Sequence, residues 1–100
     1  MRIPFPAGEA KLPTSERKAL EAIAQRMAAE KSLRIQLKAY AGGKNLSASK
    51  ARRLSLSRAL SVRSFLIEKG VRSTRIDVRA LGNKTSDSLV NRVDLNVIQR

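Results

Sequence analysis

The sequence predicts an α/β domain with two helices packed on one face of a mixed four-stranded sheet, in the order βαβαββ. Three observations lead there. Short segments of alternating apolar residues are separated by longer segments whose apolar residues recur every three to four positions. Strands divided by helices imply crossover connections and partly parallel pairing. Every predicted strand is apolar on one side only, so the helices should cover one face and leave the other in water.

The elements follow in order. Arg2 to Phe5 is a short strand with Ile3 and Phe5 to one side, and Pro4 and Pro6 suit an edge or its end. Ala7 to Pro13 is a loop. Thr14 or Ser15 is placed to cap a helix, with Glu16 favourable against the N-terminal dipole. That helix runs to about Lys31 on a stripe of Leu20, Ile23, Ala24 and Met27. From Leu33 to Tyr40, Leu33, Ile35, Leu37 and Ala39 face one way and Arg34, Gln36, Lys38 and Tyr40 the other, a half-buried strand. Ala41 to Asn45 is a glycine-bearing loop. A second helix begins near Ser47 or Ser49, continues to Lys69 and stops at Gly70. Ile76, Val78 and Ala80 mark a third strand, Gly82 to Ser88 a polar turn, and Val93, Leu95 and Val97 the last strand. No repeat, linker or low-complexity tract interrupts residues 1–100, which read as one domain.

Composition excludes several functions. There is no Cys and no His among the 100 residues, so imidazole and thiolate metal sites are ruled out, as is any nucleophile–His pair. Eight acids remain for acid–base work and show no convergent spacing. No P-loop or dinucleotide fingerprint is present around Gly42 and Gly43. The expectation is a non-enzyme with no cofactor and no metal. No run approaches the roughly 20 apolar residues of a membrane span, and Met1 to Leu12 lacks the apolar core of a signal peptide. A net charge of +13 favours an anionic partner: nucleic acid, acidic lipid or a carboxylate-bearing polymer.

One arginine is out of pattern. The second helix buries a stripe through Ala51, Leu54, Val62 and Phe65, and Arg58 lies four residues from both Leu54 and Val62 on that face. Its guanidinium stays charged, so it needs a carboxylate, several carbonyl acceptors or an outlet to solvent. An anion site is one reading, since the planar fork matches a carboxylate. An internal pair with Asp77 or Asp94, or a stem that snorkels, is the other.

The segment Ala51 to Val62 resembles the helix motif N-x-x-L-S-x-x-R-A-x-x-V of the OmpA-like C-terminal, peptidoglycan-associating domains. Leu54, Ser55, Arg58, Ala59 and Val62 match, and Ala51 replaces the Asn. Ile3, Phe5, Gly8 and Leu12 look like that family's I-x-F-x-x-G-x-x-x-L opening. Leu66, Gly70, Val71, Arg75 and Ile76 follow in its order, and Asn91, Arg92, Val93 and Asp94 resemble its R-R-V-E. The resemblance covers nearly the whole chain. It implies a non-catalytic module that holds the diaminopimelate of the peptidoglycan stem peptide and tethers an envelope protein to the cell wall. It also implies a periplasmic setting, with the domain belonging to a longer protein anchored to the outer or inner membrane.

In that family an Asp after the second strand and the motif Arg together grip the zwitterionic diaminopimelate. Here Arg58 stands at the Arg position, as the group for the ligand carboxylate. The G-H/Y-T-D region falls on Ala39 to Gly42 or on Tyr40 to Gly43, so a Gly replaces the Asp in either alignment. The implied site comprises Arg58, with Gly42, Gly43, Asn45 and Ser47 on the adjoining loop, and Arg92 as a rim or bracing group. Lacking the Asp and the Asn, binding is expected to be weakened. The alternative is an OmpA-like fold that has lost wall binding and serves as a structural or interaction domain, with another envelope protein as partner. A second apolar stripe, Leu56, Leu60 and Ile67, bears on that alternative, although covering the first helix is its commoner use. Nucleic-acid binding through Arg34, Lys38, Tyr40 and Arg79 is disfavoured, because Tyr40 is the lone aromatic available for stacking.

Overall fold

A computed structural model describes residues 1–99. Its elements are β1 (Arg2–Pro4), α1 (Arg17–Ala29), β2 (Leu33–Tyr40), α2 (Ala48–Glu68), β3 (Ile76–Gly82) and β4 (Arg92–Gln99), with 3-10 turns at Thr14–Glu16 and Ser73–Arg75. The strands form one sheet in the order β1-β4-β2-β3. β4 runs antiparallel to both β1 and β2, and β2 pairs in parallel with β3 through the α2 crossover.

The alternation read in the sequence becomes the two faces of this sheet. Ile35, Leu37 and Ala39 of β2 and Val93 and Leu95 of β4 lie under the helices, nearly or fully buried. Leu20, Ala24 and Met27 of α1 and Ala59, Val62 and Leu66 of α2 close the core from above. The opposite face is polar: Lys38 sits opposite Asp94, and Gln36 opposite Asn96. The predicted order of elements, the mixed sheet and the one-sided helix layer are all present.

Three local expectations are corrected. The first helix begins through the Thr14–Glu16 turn after Pro13, and no side chain caps it. Proline sets the extended backbone at that point, leaving Thr14 and Ser15 inside the turn rather than before it. Neither Asp77 nor Asp94 pairs with Arg58; they bind Arg34 and Arg92 instead. The stripe of Leu56, Leu60 and Ile67 does not lie beneath α1: these side chains are 42%, 41% and 38% exposed. The contact between helices is made by other positions. Lys69 of α2's end reaches Glu21, and Arg17 and Lys69 both lie over the Phe65 ring.

The α2 boundaries have local causes. The Ser47 hydroxyl accepts a hydrogen bond from the Lys50 amide at 3.3 Å, satisfying one of the helix's orphan donors. At the other end Gly70, with φ +102°, provides the left-handed residue that turns the chain, and the Val71 amide returns to the Leu66 carbonyl.

Candidate ligand-binding site

The site grows from Arg58. Its place on the buried stripe of α2 carries the guanidinium beneath the ends of three segments, and the residue is fully buried. Nε donates to the Glu9 carbonyl at 2.7 Å and Nη2 to the Pro6 carbonyl at 3.1 Å. Nη1 donates to the Tyr40 carbonyl at 3.0 Å and to Asn91 Oδ1 at 2.8 Å. The Phe5 ring lies 5.3 Å from the guanidinium carbon, close enough for a cation–π contact. Several neutral oxygens therefore do the work of a counter-ion. Burial lowers the Arg58 pKa, but an arginine retains its proton throughout the ordinary pH range.

Asn91 extends this arrangement to the loop after β2. The same Oδ1 accepts the Gly42 amide at 3.2 Å, so Arg58 fixes Gly42 through one intermediary. Sequence reasoning placed Asn91 only as a stand-in for the first Arg of R-R-V-E and missed this role. The available signal was a short neutral acceptor at the start of a strand, next to a motif rich in cations. The carbonyls of Pro6 and Glu9 were also missed, because backbone acceptors leave no mark in a sequence.

The two glycines differ. A Cβ at Gly42 would lie 3.0 Å from Cγ2 of Val90, whereas one at Gly43 would meet nothing closer than Leu46 Cβ at 4.0 Å. Neither has a positive φ. Gly43 is exposed and opens onto solvent. Asn45 and Ser47 are exposed on the rim, and no hydrogen bond among the described residues joins them to Arg58. Ser47 is engaged in capping α2.

Arg92 is a brace. It is 4% exposed, contacts Asp94 through Nε at 3.0 Å, donates to the Leu89 carbonyl and lies 4.1 Å above the Tyr40 ring. One face of the Tyr40 ring is thereby occupied, which leaves less of it for stacking.

On one flank of α2 the Arg58 guanidinium is enclosed by its oxygen partners. A cavity of about 630 Å³ lies instead on the other flank of α2, between its first turns and the end of β3. There Gly82, with φ +58°, brings the strand so near the helix that a Cβ would stand 3.1 Å from the Arg52 nitrogen. Ser55 clamps the approach, donating to the Arg52 carbonyl and accepting the Gly82 amide at 3.1 Å. The Ser of the motif thus has a mechanical purpose: it ties the helix to β3.

A two-layer α/β domain with one helix-borne arginine drawing two loops and a strand end together is the kind of protein defined by this geometry. The chain matches the OmpA family over residues 4–93, and it belongs to that family. Solved structures agree with the fold. The peptidoglycan-associated lipoprotein from Burkholderia pseudomallei superposes with a TM-score of 0.86 at 18% identity, covering 97% of this chain and 89% of that one. The OmpA-like domain of FopA1 from Francisella tularensis gives 0.83 at 21%, covering 98% and 71%. The C-terminal domain of Helicobacter pylori MotB gives 0.82 at 21%, covering 100% and 86%. A search of curated proteins finds no match. OmpA-like domains are non-catalytic modules, and this chain is not an enzyme. No helix among the described residues is long and apolar enough to cross a membrane.

Proposed function

We propose that the domain is a non-catalytic peptidoglycan-binding module that holds the diaminopimelate of the stem peptide over Arg58. The observation that carries this reading is Arg58 itself, at the family's motif position, gathering the Pro6–Glu9 loop, the end of β2 and Asn91 around one guanidinium. A ligand carboxylate would take the place of the Pro6 and Glu9 carbonyls on the arginine fork, giving a bidentate pair in exchange for two neutral acceptors. Gly42, Gly43, Asn45 and Ser47 would form the rim, and Arg92 would hold Tyr40 and the start of β4 in place.

Two costs make the binding weak. The Pro6–Glu9 segment must move before the arginine can be reached. The ligand's ammonium meets glycine where the family has a carboxylate, and a neutral contact is worth less than a charge-assisted one by on the order of 1 kcal/mol. On this reading the domain works in the periplasm, tethered to the outer or inner membrane through a segment outside this sequence.

An NMR titration with a diaminopimelate-containing muropeptide tests the proposal. Saturable shifts on Arg58, on residues 6–9 and on 41–49 are the expected result. No shift at millimolar ligand would sink it. The exposed Leu56, Leu60 and Ile67 favour a second reading, in which the fold has lost wall binding and serves as an interaction domain.

A further inference from the structure

We propose that the outer edge of β3 accepts an extended acidic segment of another protein as a fifth strand. β3 is the last strand of the sheet and pairs with β2 alone, so its other side presents main-chain donors and acceptors without a partner strand. It spans seven residues without a proline. The Gly82 end is closed, because its amide goes to Ser55 and its carbonyl to Ala41. The stretch Ile76 to Leu81 is the docking frame.

The helix layer reaches further than the sheet beneath it. A hollow of about 460 Å³ lies under α2 where Arg52, Arg53 and Leu56 overhang Ala80. It runs into the larger cavity through shared walls at Ser49, Arg52 and Ala80. Leu56 is 42% exposed there because the sheet ends one strand too early to cover it. A strand added beside β3 would place alternate side chains in this hollow and the others beside Arg79 on the opposite face.

Charge selects the occupant. Arg52, Arg53 and Lys84 line the two hollows on the helix side, Arg79 stands on the opposite face of the same edge, no carboxylate lines either hollow, and none of the four makes an ion pair among the described residues. The one acid exposed along β3, Asp77, is held by Arg34 at 2.8 Å. A second copy of the chain would bring +13 against +13 and is disfavoured. A segment alternating acidic and apolar residues satisfies the edge, the hollow and the charge together. This surface lies across α2 from the Arg58 carbonyl cluster, and the inference does not depend on wall binding.

The test uses a synthetic peptide of about seven residues that alternates glutamate and valine, titrated into the isotope-labelled domain. Saturable shifts on Ile76 to Leu81 and Leu56, with slowed amide exchange along β3, are expected. Substituting the central residue of the peptide with proline should abolish them, since a strand donor is lost. Arg79→Glu should weaken binding roughly fivefold without lowering the melting temperature. Three results would overturn the proposal: no saturable shift at millimolar peptide, equal binding by the proline-containing peptide, or sedimentation showing that β3 already joins two copies of the chain.

Discussion

Removing the Arg58 side chain would strip the donor from four oxygens at once, those of Pro6, Glu9, Tyr40 and Asn91. Arg58→Ala is therefore expected to destabilise the fold by about 3 kcal/mol, through unsatisfied buried acceptors and the space left behind. Arg58→Lys keeps the charge but not the fork and should cost less. Urea melts of the two variants check the order, and a wild-type-like Arg58→Ala would contradict the buried geometry. The sequence made Arg58 conspicuous because a charge stood on an apolar stripe. Its partners were not legible, since three of the four are main-chain oxygens brought from distant segments. The glycines give a second prediction. Gly43→Asp meets open space and should leave stability within about 0.5 kcal/mol while tightening muropeptide binding. Gly42→Asp runs into Val90 and should cost about 1–2 kcal/mol. Muropeptide titrations and thermal melts of both variants decide whether Gly43 is the position of the family's acid.

At the scale of elements, α2 carries most of what distinguishes this domain. Its extent was readable because a serine cap, a long periodic stripe and a terminal glycine coincide. Its outward stripe was misassigned: periodicity reports that a face is apolar, not which neighbour covers it. The register of α2 on β3 depends on the Ser55 hydroxyl and the bare backbone of Gly82. Gly82→Ala forces a side chain into a left-handed position and against the Arg52 nitrogen, so a loss of about 2 kcal/mol is expected. Ser55→Ala orphans a buried amide and should cost about 1–2 kcal/mol. Chemical denaturation would measure both, and additivity in the double variant would argue against a shared clamp.

For the whole molecule the dominant quantity is the net charge of +13. Like charges at this density oppose the compact state, and salt screens them within about 10 Å at 0.1 M. The melting temperature should therefore rise as salt is added from low ionic strength, the reverse of a fold held by surface ion pairs. Among those pairs, Arg2 with Asp87 has a readable pH signature. The hydrogen bond from Arg2, supported by the Leu89 amide, holds the Asp87 carboxyl below its ordinary value of 3.8. A depressed carboxylate contributes stability above its unfolded value and loses it as pH falls through the folded one. Arg2 is exposed and Asp87 half-buried, and solvent screens the pair, so the contribution is small. A carboxyl-detected titration of wild type and Arg2→Ala should show Asp87 returning toward 3.8 in the variant.

The strand order has a consequence for how the chain acquires its structure. β4, the last strand of the sheet in chain order, lies between β1 and β2, and Arg2 pairs with Asp94. A chain delivered from its N-terminus thus has helices and one parallel strand pair available early, but nothing to receive β1. Closing that longest loop comes late and must wait for residues beyond 92. Contact order therefore predicts late closure of the sheet, and a chain truncated near residue 90 should lack cooperative protection from proteolysis.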